Sequence, residues 1–192
     1  PYTTLFRSNF HNLQPSDVYA EYLLGSDLVN PGGLVLCAPD KGALPFVKEV
    51  HAELDDPSVP ILVIDKERSG ERAVSMHVSD KSEIGLADIA GKDVVVIDDM
   101  VRTGSTIVKA CSLVKSGAPR KIVFLVTHFY TSQEGREKLN NPVIDEIVVS
   151  NTIPQILNRD MQGRLRRKMV VLRISRWMAK YLGQTIGSKS FV

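Results

Sequence analysis

Cysteine, long apolar runs and a strong charge of one sign are all scarce in this sequence. Its 192 residues include 2 cysteines, Cys37 and Cys111, which lie far apart and form no CxxC pair. That usage gives no sign of a disulfide framework, so we expect two buried, reduced thiols in a cytoplasmic protein. No apolar stretch approaches the roughly 20 residues that a membrane helix needs. We therefore expect no membrane partner.

Charge is nearly balanced. The formal net charge is +2, from 24 Lys and Arg against 22 Asp and Glu, which is too small to indicate a nucleic-acid partner. The one dense basic run is Arg164–Lys168, and a solvated loop is the favoured interpretation over a dedicated anion site. With 43% hydrophobic and 24% charged residues, the chain has the composition of a globular domain, and its length suits one such domain.

The first eight residues differ in character from the rest. They read "PYTTLFRS", without an initiator Met or a signal-peptide pattern, and resemble the in-frame translation of a widely used sequencing adapter. Our hypothesis is that residues 1–8 are an artefact of read assembly, to be left out of fold reasoning. The predicted domain is then 9–192.

Short, nearly continuous apolar runs alternate with amphipathic stretches. Continuous runs are typical of strands that are buried on both faces of a parallel sheet. Six strands are predicted: Leu34–Ala38, Ile61–Ile64, Val94–Ile97, Ile122–Val126, Glu146–Val149 and Met169–Leu172. Four helices are predicted: Gly42–Leu54, Thr106–Ser116, Ser132–Leu139 and Ser175–Leu182, with Gly117 as the C-cap of the second. The alternation predicts a doubly wound, mostly parallel α/β sheet flanked by helices. The long polar segment 66–92 is predicted to be a flexible loop, or a small edge hairpin around 74–79.

Ligands of open parallel sheets bind beyond the carboxyl ends of the strands, so the residues after each run matter most. The stretch "VVVIDDMVRTGST" (94–106) is the most specific. Its Thr103–Thr106 turn leads into a helix, where backbone N–H groups can cradle a phosphate. Asp98 and Asp99 could accept hydrogen bonds from a diol or bind a divalent cation. Together they predict a pentose 5-phosphate site; the alternative is that they only cap the helix.

The same stretch resembles the phosphoribosyl-diphosphate signature of type I phosphoribosyltransferases and ribose-phosphate diphosphokinases. Other segments favour the second family. They are "SDVYAEYLL" (16–24), "APDKGA" (38–43), "IDKERS" (64–69), "THFYTS" (127–132) and "VVSNTIP" (148–154), each similar to an element of the diphosphokinases. The resemblance implies a type I phosphoribosyltransferase-like fold and an enzyme that transfers the diphosphoryl group of ATP to O1 of ribose 5-phosphate.

The resemblance also implies roles for single residues. Lys66 and Arg68 correspond to the flexible catalytic loop, and Asp40 to a Mg²⁺ ligand. The family's ribose 5-phosphate site corresponds to Asp98 and to the loop residues Arg102, Thr103, Gly104, Ser105 and Thr106. The pairing of two adjacent acids in the sequence adds Asp99 to this predicted site. Members of the family form dimers and hexamers, so a homo-oligomer is expected of a full-length parent.

Three residues depart from the family pattern. Arg102 occupies a position where the family usually has an acid, and Ser105 and Ala43 replace glycines. The family has two similar α/β halves, and this chain resembles the second, so ATP would bind largely through the half that is missing here. We therefore expect the chain alone to be inactive. The alternatives are a stand-alone type I phosphoribosyltransferase and a non-catalytic regulatory paralogue.

Overall fold

The centre of the structure is a seven-stranded sheet. The computed structural model of the chain describes residues 12–28, 33–69, 73–158 and 162–187. The strand order is β3-β2-β1-β4-β5-β6-β7. Every neighbouring pair is parallel except β2 and β3, which are antiparallel. The strands are β1 (Leu34–Ala38), β2 (Ile61–Ser69), β3 (Ala73–Val78), β4 (Asp93–Val101), β5 (Lys121–Phe129), β6 (Glu146–Ser150) and β7 (Met169–Leu172).

Helices cover both faces of the sheet. They are α1 (Ser16–Leu24), α2 (Leu44–Leu54), α3 (Ser105–Lys115), α4 (Gln133–Leu139) and α5 (Ser175–Gly187). Among the described residues, three 3₁₀ helices occupy connections: Leu86–Ile89, Pro154–Leu157 and Gly163–Lys168. None of the helices in the described ranges is both long and apolar enough to span a membrane.

Alternation along the central strand divides the core into two layers. Val94 and Val96 of β4 face the cluster that α3 completes, whereas Val95 and Ile97 face the cluster under α1 and α2. All four side chains are fully buried. This is why the run contains no polar residue: a strand that is covered on both faces must be apolar at every position.

The predicted strand and helix positions are confirmed, with differences at the ends. β4 continues through Asp98 and Asp99 to Val101, because β5 runs beside it as far as Phe129 and extends the ladder. Asp98 and Asp99 thus lie within β4 and not in the loop that follows it. The hairpin alternative for segment 66–92 is also confirmed, since β2 and β3 pair from Ile64–Val78 to Ser69–Ala73.

Two features were not predicted correctly. Helix α1 was not predicted as a helix, although Tyr19 and Leu23 are fully buried against the sheet. The C-cap prediction for Gly117 is wrong, since Ser116 caps α3 and the left-handed residue nearby is Ala118 at φ 54°. Gly117 is needed for space instead: a Cβ there would collide with the backbone oxygen of Leu86 and lie 2.6 Å from Ile89 Cγ1.

The strand order creates a crevice between β1 and β4. From β1 the chain moves outward to β2 and β3, then returns to the other side of β1 to form β4. At such a switch point the loops beyond the two strands diverge and leave room for a ligand. Asp40 follows β1 and Asp98 lies near the end of β4, so both acids belong to this crevice.

Candidate functional site

A cavity of about 200 Å³ lies at the switch point. It draws its walls from the end of β1, the end of β4 and the first turn of α3. Its lining residues are Asp40, Asp98, Met100, Val101, Arg102, Thr103, Gly104, Thr106 and Ile107. Of the residues singled out in the sequence, six therefore line one cavity. Asp99 and Ser105 belong to the same stretch but do not line it.

The carboxylate of Asp40 contacts two backbone N–H groups and one ammonium group. Its Oδ1 accepts hydrogen bonds from the N–H groups of Gly42 at 2.9 Å and Ala43 at 3.1 Å, and its Oδ2 pairs with Lys66 Nζ at 2.5 Å. Partial burial would raise the pKa of Asp40, but the ammonium of Lys66 and the two N–H groups outweigh it. The pKa of Asp40 accordingly lies below its usual value, and the group is a carboxylate at neutral pH.

Lys66 reaches the site from the hairpin. It lies on β2, and its ammonium links that strand to the loop after β1. A second pair joins the same two segments in the opposite sense, between Lys41 and Asp65. This reciprocal pattern was visible in the sequence as Asp40-Lys41 and Asp65-Lys66 after consecutive strands, but no pairing was predicted from it.

Arg68 also lies on β2, opposite Val74 in the hairpin register. Its side chain falls outside what the structure describes. The backbone places it two residues beyond Lys66 along the same strand. Both lie on an extended ribbon at the rim of the crevice.

Asp98 has the most perturbed acidity of the site. Burial, followed by repulsion from the carboxylates of Asp40 and Asp99, raises the pKa of Asp98 to about 7. The N–H of Asp99 donates to Asp98 Oδ1 at 2.9 Å and offsets part of this effect. A carboxyl group with a pKa near neutrality is one that a cation or a hydroxyl-bearing ligand can readily stabilise in its charged form.

The loop 102–106 forms the second wall. Gly104 adopts φ 72°, ψ −9°, a left-handed conformation that glycine adopts without the strain that a Cβ brings, and α3 begins immediately after it. The first N–H groups of α3 have no partner within the helix, as at the start of any α-helix. In the part of the chain described, the hydroxyls of Thr103, Ser105 and Thr106 also make no hydrogen bond. Donors at the start of a helix are of the kind that can bind an anion.

Helix α4 packs closely against the loop 102–106. A Cβ at Gly104 would lie 2.9 Å from Leu139 Cγ, and a Cβ at Gly135 would lie 2.9 Å from the carbonyl oxygen of Arg102. Glycine at both positions therefore allows α4 to contact the loop directly. Gly135 was not identified from the sequence, where its place inside a short polar helix gave no signal.

A polar network lies under the carboxyl edge of β5 and β6. The hydroxyl of Thr152 donates to Thr127 O at 2.9 Å and lies 3.0 Å from His128 Nδ1. Asn151 Oδ1 accepts from the N–H of Ile174 at 3.0 Å, which ties the strand end to the segment before α5. Thr127, His128 and Thr152 of the two C-terminal motifs thus contact one another, and Asn151 binds the segment before α5, which indicates a structural role.

The donor set limits how a divalent cation could bind. Among the described residues, no group of three or more His, Cys, Asp or Glu side chains is arranged to hold a metal ion. Mg²⁺, however, is commonly held by one or two carboxylates together with substrate oxygens. Asp40 and Asp98 are close enough to repel each other, so this pair fits such a shared site. A cation at Asp40 would have to replace the ammonium of Lys66.

With the topology established, the class of protein follows. The order of the sheet and its helical layers are those of the phosphoribosyltransferase fold. A crystal structure of phosphoribosylpyrophosphate synthetase from Mycobacterium smegmatis superposes with a TM-score of 0.72 over 92% of this chain and 52% of that one. At 22% sequence identity, this similarity establishes the fold.

The sequence model for the phosphoribosyl transferase domain matches residues 24–156, and the chain belongs to that family. The ribose-phosphate pyrophosphokinase of Wolinella succinogenes is 34% identical over 143 residues, which are 74% of this chain and 42% of that protein. The ribose-phosphate pyrophosphokinase of Haemophilus ducreyi is 31% identical over 171 residues, or 88% of this chain and 49% of the other. The chain thus spans about half the length of the relatives that it matches.

Proposed function

We propose that the chain is the C-terminal half of a ribose-phosphate diphosphokinase and carries its ribose 5-phosphate site. One observation carries the proposal: Asp98 lines the same cavity at the switch point as Arg102, Thr103, Gly104 and Thr106 of the loop. A sugar 5-phosphate has an anionic end that fits the N–H groups and hydroxyls before α3. It also has a diol end that fits a carboxylate.

The proposed reaction asks the protein mainly for positioning and charge stabilisation. The O1 hydroxyl of ribose 5-phosphate attacks the β-phosphorus of ATP, the bond to the α-phosphate oxygen breaks, and AMP leaves. Lys66 can stabilise the negative charge on the transferring diphosphoryl group, because its hairpin reaches the rim of the crevice. Arg68 is proposed to act beside it. Bound Mg²⁺ would neutralise phosphate charge, with Asp40 and Asp98 as its protein ligands.

Further parts of the proposal concern what lies beyond this chain. The relatives are about twice as long, so we place most ATP contacts in a preceding half and expect the full-length parent to be a cytoplasmic homo-oligomer, from dimer to hexamer. The 192-residue chain should then bind ribose 5-phosphate without producing AMP. Robust AMP formation from ATP and ribose 5-phosphate by the purified chain would refute this division of labour.

Binding of ribose 5-phosphate is tested by isothermal titration calorimetry with MgCl₂ present. Thr106→Val removes a hydroxyl from the loop and is expected to weaken binding about tenfold, as loss of a hydrogen bond to a charged group does. Ser112→Ala, on an exposed turn of the same helix, is the matched control and should leave binding unchanged. Equal affinity for ribose 5-phosphate and free ribose would contradict a phosphate site at this loop.

The second candidate function is that of a non-catalytic regulatory paralogue, and it rests on Arg102. Its exposed side chain places a cation on the cavity wall where the family usually has an acid. If the parent is a non-catalytic partner subunit, the full-length protein will be inactive and Arg102→Asp will raise its turnover. If the parent is itself a diphosphokinase, it will be active and Arg102→Asp will mainly change its affinity for ribose 5-phosphate.

A stand-alone phosphoribosyltransferase is tested in a separate assay. Such an enzyme releases diphosphate when it receives 5-phosphoribosyl 1-diphosphate and a nucleobase. We expect no release above background with adenine, hypoxanthine, guanine, uracil or orotate. Release with any one of them would replace the diphosphokinase proposal with that reaction.

A further inference from the structure

The basic run Arg164–Lys168 is folded against α4. It forms the 3₁₀ helix Gly163–Lys168, and two adjoining cavities of about 510 and 780 Å³ lie along it. Asn140, Gly163 and Arg164 line both cavities, so Arg164 stands between them. Arg136 of α4 lines the first cavity. No lining residue is shared with the cavity at the switch point.

The wall has a rigid frame. Leu165 is 1% exposed and anchors the 3₁₀ helix in the core cluster to which α3 also contributes. The ammonium of Lys168 donates to the carbonyl oxygens of Asn141 at 2.9 Å and Ile144 at 3.0 Å, which fastens the end of the helix to the loop after α4. Gln162 Nε2 donates to Ile156 O at 2.7 Å and fixes the start. The backbone that carries the arginines is therefore held at both ends.

The arginine side chains of these walls form no ion pair within the part of the chain described. Arg164, Arg166 and Arg167 are exposed, and none of them, nor Arg136, makes an ion pair or side-chain hydrogen bond with another described residue. Within these cavity walls Glu137 is the one acid, and its Oε1 already accepts from Gln133 Nε2 at 3.2 Å. Four guanidinium groups thus face two connected concavities with little competing negative charge.

We propose that these cavities form a second anion site, which binds an oligophosphate group. A guanidinium donates two parallel hydrogen bonds to a phosphate, and Arg136 with Arg164 can do so from opposite walls. The combined space exceeds what a single phosphate needs, and Arg166 and Arg167 extend the positive wall along the second cavity. A diphosphate or triphosphate, free or as part of a nucleotide, matches that length and charge. The interpretation of the run as a solvated surface segment without a dedicated anion site remains the alternative.

The test is calorimetric titration of the 192-residue chain with sodium tripolyphosphate in 0.15 M NaCl. We expect saturable binding that Arg164→Gln and Arg136→Gln each weaken about tenfold or more. Arg164→Lys keeps the charge without the planar fork and should lose a large part of the affinity. Arg176→Gln is the matched control, since Arg176 is exposed on α5 and lines neither cavity. Melting curves of the exposed-residue variants should match that of the unmodified chain.

Each other outcome would overturn the site. Absence of saturable binding, or an equal loss in Arg176→Gln, would mean a general effect of surface charge. Binding that is lost in Thr106→Val but kept in Arg164→Gln would place the oligophosphate at the loop before α3. Tighter binding of a single-stranded oligonucleotide, sensitive to the same arginines, would assign the surface to nucleic acid. If the titration supports the site, a comparison of the affinities of ADP and diphosphate shows whether a nucleoside contributes to binding.

Discussion

Replacing Asp98 by Asn should stabilise the folded chain at alkaline pH while it weakens ribose 5-phosphate binding. Burial, Asp40 and Asp99 raise the pKa of Asp98 to about 7, against 3.8 for an unperturbed aspartate. A folded-state pKa above the unfolded value means that the contribution of the group to stability is fully present below about pH 4. It is lost as the pH rises through 7. Above pH 7 the folded protein carries a carboxylate that its surroundings disfavour.

The size of the effect follows from the same numbers. Each pH unit between the two values is worth about 1.4 kcal/mol, so the upper bound is about 4 kcal/mol. Asp98 is partly exposed, and solvent screening reduces the repulsion from its neighbours. We therefore expect Asp98→Asn to raise the free energy of unfolding at pH 8 by roughly 1–3 kcal/mol. The gain should shrink steadily between pH 7 and pH 4.

Urea denaturation followed by circular dichroism, at several pH values and with EDTA present, measures this directly. Asp80→Asn is the control, because Asp80 is an exposed turn acid away from the cavity. The reasoning is wrong if Asp98→Asn destabilises the chain at pH 8, or if its effect is the same at pH 4.5 and pH 8. Isothermal titration calorimetry at pH 8 should show that Asp98→Asn, although it stabilises the fold, weakens ribose 5-phosphate binding.

Three further substitutions test packing and charge, each by urea denaturation. Gly104→Ala forces a side chain into φ 72° and should cost roughly 1–3 kcal/mol. Gly117→Ala meets backbone and should cost a similar, roughly 1–3 kcal/mol amount; Gly183→Ala, where a Cβ meets nothing within 4 Å, is the control for both and should be neutral or stabilising. Arg120→Ala removes the guanidinium that pairs with fully buried Asp93 and should lower the urea midpoint. Unchanged midpoints would contradict these packing arguments.

The sheet was predictable from the sequence because its strands are buried on both faces. Val94–Ile97 must be apolar at every position to lie between two helical layers, and the same holds for Ile122–Val126. Such runs are visible without knowledge of the fold. Helix α1 was missed for the opposite reason: only Tyr19, Ala20 and Leu23 of its nine residues are buried, so its apolar stripe is narrow. Its stability comes from tertiary packing, which a local pattern does not record.

The candidate site was predictable to the extent that it is local. The stretch 98–106 carries its strand end, its glycine and its helix start in nine consecutive positions, so its chemistry can be read in order. The ion pair between Asp40 and Lys66 spans 26 residues and depends on how the hairpin folds back over the loop after β1. Gly135 allows a close approach between α4 and Arg102, and that distance exists only in three dimensions.

The insertion of β4 between β1 and β5 also has a kinetic consequence. The two walls of the cavity, Asp40 and the loop 102–106, come from segments separated by the entire hairpin. They meet only when β1 and β4 pair, as Leu34 does with Asp93 and Cys37 with Val96. A parallel pairing of such distant segments requires closure of a long loop and is slow compared with formation of the hairpin or α3. During refolding, ligand binding should therefore arise later than secondary structure and report on completion of the sheet.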